Sequence, residues 1–261
     1  VYILDDYTPL RGLNRKTLEQ PATLFPVAVA LMFVEADPMG FRGVGFQGAS
    51  FYSAANPPVG AAITYYVKDD YKSLEKQRNE AEKKLQEAGK DVHYPRYEEL
   101  KKEAAEVEPW LLFVISDAGG RPLRKIKQSI KAGVQRVVWD FRTSPVSPIS
   151  LDSPGDSEPW DEPDRGYMVA PGSYQVTLYR YQEGKLSAVG SPQPLKCQPL
   201  HVATLPPADQ EALRLFNEKA GALSRAISAA DAHRGRLNEA LPYLEAAVMS
   251  VPVLDEGRLA E

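Results

Sequence analysis

Residues 132–143 read AGVQRVVWDFRT, and the fold turns on how this stretch is read. Val137, Trp139 and Phe141 alternate with Val138 and Asp140, the period of a strand that faces a core on one side. The Trp-Asp pair ending that strand has three readings: a propeller repeat signature, a catalytic carboxylate beside an aromatic platform, or a structural corner. No period of about forty residues recurs in the chain, which removes the first. Trp139 on the core face puts Asp140 outward, where a carboxylate accepts backbone hydrogen bonds. A structural corner is therefore expected in preference to an acid catalyst.

Other segments share this grammar. AAITYYV (61–67), LLFVISD (111–117), RPLRKIK (121–127), GSYQVTLYRY (172–181) and PLKCQPLHV (194–202) are strand-length and bounded by turn residues. DAGG at 117–120 is a hairpin signal, because glycine takes the positive φ that tight turns demand. The 22 prolines and 18 glycines fall as punctuation between short apolar runs. These patterns predict an antiparallel sandwich and a mainly β chain. LFPVAVALMFV (24–34) is about half the length a bilayer span needs and contains a proline, so it is read as buried strand.

Two segments follow a helical period instead. From Asp69 to Glu108 roughly half the residues are charged, and Tyr71, Leu74, Arg78, Ala81, Leu85 and Ala88 recur at helical spacing. Tyr97, Leu100, Ala104 and Val107 form a second stripe beyond the turn GKDVHYP. An antiparallel helical hairpin with narrow apolar seams is expected, a solvated insertion between strands rather than a binding arm. After Leu205, a helix start at Pro206, Pro207 and Asp209 opens a stripe that includes Leu213, Phe216, Leu223, Ile227, Leu237, Leu241 and Leu244. Pro242 is expected to kink or split it. A stripe this long wants a partner.

The formal net charge of −4 over 261 residues gives no broad basic face, so nucleic acid is not an expected partner, and no membrane span is expected. The single cysteine, Cys197, excludes an internal disulfide and a multi-cysteine metal site. The chain opens on Val1 without an initiator Met or a signal-peptide profile, and VPVLDEGRLAE at 251–261 looks like the beginning of a further helix. A processed form or an internal fragment is the expectation.

AGVQRVVWDFRT followed by YMVAPGSYQVTLYR, a Trp-Asp strand end and then V-x-P-G-x-Y-x-V-x-L, resembles the immunoglobulin-like or fibronectin-like domain of the flagellar hook-capping protein family. A wider resemblance runs through VYILDDYTPLR, LFPV, FYSAANPPVGAAITYYV, the ISDAGG hairpin, AGVQRVVWDFR, APGSYQVTL and the long helix. That order looks like the carboxy-terminal region of large bacterial proteins with BNR-type or sortilin-like β-propellers, often labelled glycosyl hydrolases. The resemblance implies that 1–12 hold the terminal strand of a propeller, 13–58 a connecting segment, 59–204 an Ig-like β-sandwich with its helical insertion at 69–108, and 205–261 a truncated helical segment. It implies an exported, extracytoplasmic parent protein, and as partner the propeller of that parent or another protein subunit. No Asp-box S-x-D-x-G-x-x-W occurs in the chain, so no propeller active site can be carried onto it. The chain itself is expected to be a noncatalytic accessory module, with a glycoside hydrolase completed on the propeller as the alternative.

Within the chain, chemistry is sparse. His93, His201 and His233 stand on different predicted elements without a second metal ligand at standard spacing. Gly40, Gly43, Gly45 and Gly48 follow no strand-to-helix pattern that would cradle a phosphate. The most suggestive stretch is LDSPGDSEPWDEPDRGY, where Asp152, Asp156, Glu158, Asp161, Glu162 and Asp164 crowd around Trp160. Carboxylates beside an exposed tryptophan can hold a sugar, and an oxygen-rich loop can hold calcium, although the spacing is not that of an EF-hand. No cofactor is expected otherwise. The plainer reading is a solvated acidic connection between two strands.

Overall fold

The structure, a computed structural model, describes residues 6–34, 57–149, 164–201 and 207–250. By its internal contacts the chain divides into two units, 1–143 with 171–204, and 144–170 with 205–261.

Among the described residues the first unit has eight strands in two sheets. β1 (Ala22–Leu24), β3 (Ala61–Val67) and β6 (Gly133–Trp139) form a three-stranded antiparallel sheet in the order β1-β3-β6. β2 (Ala30–Met32), β8 (Lys185–Pro199), β7 (Gly172–Gln182), β4 (Trp110–Asp117) and β5 (Pro122–Ser129) form the other, in the order β2-β8-β7-β4-β5. Its pairings are antiparallel except β2 with β8, which is parallel. Thus 13–58, expected as a connection, contributes a strand to each sheet, as well as a short helix α1 (Arg15–Glu19) capped by Asn14. The VYILDD strand lies outside the described residues except for Asp6, and Thr8–Gly12 is a 3-10 turn.

Alternation builds the core. Ile63, Tyr65 and Val67 of β3, Leu111, Phe113 and Ile115 of β4, and Val176 and Leu178 of β7 are buried, while their alternate neighbours are mostly more exposed. The sheets meet through rings: Tyr65 lies 4.9 Å from Phe113, and Trp139 meets Tyr174 edge-on at 5.4 Å. Trp139 is fully buried and donates its indole N–H to the Arg142 carbonyl at 2.8 Å. Phe141, also fully buried, turns back against it at 5.8 Å from a positive φ of 59°. The Asp140 carboxylate accepts the Arg142 backbone N–H at 3.2 Å. AGVQRVVWDFRT is a structural corner, as its residues suggest. Gly60 is required beside it, because at φ 148° a Cβ there would strike the Trp139 carbonyl and come within 2.5 Å of the Val138 side chain.

The hairpin insertion is α2 (Leu74–Glu87) and α3 (Tyr97–Ala104). Its seam is polar where an apolar one was expected, and neither helix buries a residue. Arg78 donates from Nε to Glu103 at 2.8 Å and from Nη2 to its other oxygen at 3.1 Å, and from Nη1 to Glu82 at 2.8 Å. Glu106 accepts the Tyr71 hydroxyl on one oxygen and the Leu74 amide at 2.8 Å on the other. The bond to Glu106 is the first cause that pushes the Tyr71 phenol up to about 12. Charge-assisted bonds hold together two helices too short and too polar to associate by burial.

In the second unit, α4 (Pro207–Met249) is a single helix of 43 residues, about 65 Å long. It runs on through Pro242 as one helix, so the proline does not split it. With α4, helix and strand contents are about equal among the described residues, where a mainly β chain was expected.

Trp139→Ala is expected to lose roughly 3–5 kcal/mol, the range for emptying a buried aromatic site. Trp139→Phe, which fills most of the space but removes the bond to the Arg142 carbonyl, is expected to lose about 1–3 kcal/mol. Urea midpoints followed by far-UV circular dichroism check both values and their order.

Candidate interaction surface

Helix α4 has one side in contact with its own unit and one side exposed. Counting Leu213 as position a of a heptad, the a positions are Leu213, Ala220, Ile227, Arg234, Leu241 and Val248. The d positions are Phe216, Leu223, Ala230, Leu237 and Leu244. This is a 3.5-residue period over five heptads, apolar except at Arg234, the narrow seam of a coiled coil rather than the broader stripe of a helix lying on a globular core. Every one of these residues is exposed, with Phe216 at 66 %, Leu223 at 63 %, Ile227 at 61 % and Leu244 at 60 %.

The back of the helix is covered by its own unit. Val146 lies against Gly221, where an added Cβ would come within 2.7 Å of its Cγ1. Arg225 donates to the carbonyls of Val146 at 2.7 Å and Pro145 at 3.2 Å. Gly221 is a b position and Arg225 an f position, so the 144–149 segment rides on the outward face and leaves the seam bare. Arg214, also at b, is gripped by Glu211 and Glu218, each at 2.5 Å, and these pairs raise its pKa, the bond to Glu211 first. Gly235 and Pro242 are b positions too, so the helix places its poorest helix formers away from the seam.

Asp164 fixes the segment that reaches the helix. Its Oδ2 accepts the Val146 amide at 2.7 Å, the Ser147 amide at 2.6 Å and the Ser147 hydroxyl at 2.7 Å, and its Oδ1 accepts the Gly166 amide at 2.8 Å. These donors, the Ser147 hydroxyl first, hold its carboxyl down to about 2. Of the loop proposed for a sugar or calcium, Asp164 is thus a structural clasp with its oxygens committed to the chain's own donors. Asp152, Asp156, Glu158, Trp160, Asp161 and Glu162 lie outside the described residues, as do Gly40, Gly43, Gly45 and Gly48.

Elsewhere the candidates for chemistry stand apart. His93, His201 and His233 are all exposed, on the hairpin loop, after β8 and on α4. Among the described residues no three His, Cys, Asp or Glu side chains converge as a metal site, and no helix is long and apolar enough to cross a membrane. Cys197 is buried in β8, and loss of solvation pushes its thiol up to about 12, so it has no thiolate with which to react. On the outer face of the larger sheet, Trp110 stacks on Tyr181 of β7 at 4.8 Å, and Lys127 of β5, from the strand on its other side, sits 5.0 Å from the ring.

Sequence reasoning found the stripe of α4 but not what covers its back. The available signal was Gly221, a glycine inside a helical pattern, which marks close approach of another segment.

The amides of Val146 and Ser147 are expected to report the Asp164 carboxyl. Because its folded pKa lies below the ordinary 3.8, the clasp contributes fully above about pH 4 and is lost as pH falls towards 2. Amide NMR shifts of the two residues should therefore titrate with a midpoint near 2, and Asp164→Asn should abolish that titration; a midpoint near 4 would mean an open clasp. Cys197 is expected to resist a thiol reagent such as Ellman's until the protein is unfolded in urea.

No family model, no curated protein and no solved structure matches this chain.

Proposed function

We propose that this chain is a noncatalytic accessory module of an exported β-propeller protein, built on an Ig-like or fibronectin-like β-sandwich, and that it acts by packing on that propeller or on a partner subunit. The observation that carries the reading is α4, a helix of 43 residues whose apolar seam is exposed along its whole length. Apolar exposure on this scale disfavours an isolated molecule in water and is the usual mark of a docking surface. The resemblance of the ordered motifs to the carboxy-terminal region of BNR or sortilin-like proteins supplies the propeller and the extracytoplasmic location.

A glycoside hydrolase completed by loops of this module draws on the same resemblance, and none of the described side chains favours it. The calcium or carbohydrate loop keeps its candidates at 152–162 but loses Asp164 to the clasp.

The test is recovery of the native polypeptide with an antibody raised against the chain, followed by intact mass and identification of what copurifies. A longer exported polypeptide bearing a propeller, or a firmly bound protein partner, is expected. A free chain of 28.8 kDa in the cytoplasm, or glycosidase turnover by the isolated chain, would overturn the proposal.

A further inference from the structure

We propose that the seam of α4 is closed by α4 of a second copy of this chain, in a two-fold antiparallel coiled coil centred on residue 232. This names the partner within the interaction-module reading and rests on it.

The side chains select the orientation. In a parallel, in-register pair the layers would set Ala220 on Ala220 and Ala230 on Ala230, leaving voids, and would bring Arg234 against its own copy. An antiparallel pair opposes each a position with a d position. When the facing residue numbers sum to 464, each alanine meets a larger residue: Ala220 faces Leu244 and Ala230 faces Arg234, while Leu241 faces Leu223, Ile227 faces Leu237 and Val248 faces Phe216. The same register places the Arg234 guanidinium beside Asp231 of the other copy. Within each chain Asp231 already accepts from Arg234 at 2.6 Å, so two Arg and two Asp would alternate around the axis and cancel. Sliding the pair by one heptad either way sets Arg234 opposite Leu223 or Leu237, with Ser224 or Asn238 in place of the acid. A polar residue at one a position that is satisfied in a single register is a known means of fixing register.

The flanks and the area agree. The g positions include Ala226, Ala240 and Ala247, small enough to let two helices approach closely. From Phe216 to Val248 the seam is a strip ~50 Å long and ~10 Å wide on each copy, on the order of 1,000 Å² together, which reaches the size of a specific interface. The 144–149 segment, seated on the b and f positions, leaves this strip clear.

Sedimentation equilibrium of the full chain is expected to give twice the 28.8 kDa chain mass. Leu223→Glu with Leu241→Glu, which puts charge on two facing positions, should return it to the monomer while the near-UV signal of buried Trp139 persists. Tyr243→Glu, on the outward face, should leave the dimer intact. Orientation is read by disulfide trapping. A mixture of the Ile227→Cys and Leu237→Cys chains should cross-link, whereas Ile227→Cys alone should not. In a variant carrying both, the two sulfurs of one helix stand about 15 Å apart along the axis, beyond disulfide reach, so any bond joins two chains. A monomer at high micromolar concentration, or self-linking of Ile227→Cys, would overturn the proposal. A monomeric chain still retained by its native propeller would remove this inference and keep the module reading, and a chain that does neither would remove both.

Discussion

Everything in the sheet unit depends on how Trp139 is closed in. The indole fills the end of the core, meets Tyr174 from the other sheet and Phe141 from its own corner, and finds its one hydrogen-bond partner in the Arg142 carbonyl. A buried indole without that acceptor would lose a net-favourable bond and strand a polar group, so the chain must turn back within three residues. Phe141 takes a positive φ to do it, and Gly60 gives up its side chain to let β3 and β6 meet there. The strain and the glycine are local, and the buried aromatic cluster offsets both.

The second unit is organised differently. No described residue of α4 is buried, so this helix cannot draw its stability from a core of its own. It is steadied by a polar back: Arg225 on the carbonyls of 145 and 146, Arg214 between two glutamates, and Val146 in the space left by Gly221. Exposed pairs of this kind contribute little each. The apolar seam opposite them stays exposed, so burial contributes nothing along that side of the helix.

The helical hairpin shows the same economy with charge. Arg78, Glu82, Glu103 and Glu106 make the contacts that leucines make in longer hairpins, and Tyr71 and the amide of Leu74 complete them. Pairs between helices of 14 and 8 residues hold a solvated insertion in shape without burying a residue of either helix.

The sequence by itself determined the elements whose period is strong. β3 matches AAITYYV residue for residue, β4 to β7 fall within a few residues of their runs, and the corner at Trp139 follows from alternation and the outward Asp140. It also determined the α4 stripe, because a heptad is a property of spacing alone. The tertiary structure decided what spacing cannot encode. β8 begins nine residues before the run at 194, through Gly190 and Pro192, because short β2 covers only residues 197–199 and a strand edge left open tolerates a proline. LFPVAVALMFV divided between neighbourhoods, with Leu24 in one sheet and Met32 in the other, since partners at 65 and 199 are chosen by contacts distant in sequence. Asp164, read as part of a solvated acidic connection with a ligand loop as the alternative, is a clasp, for a carboxylate takes whichever donors the fold brings to it, and here they are the amides of 146, 147 and 166.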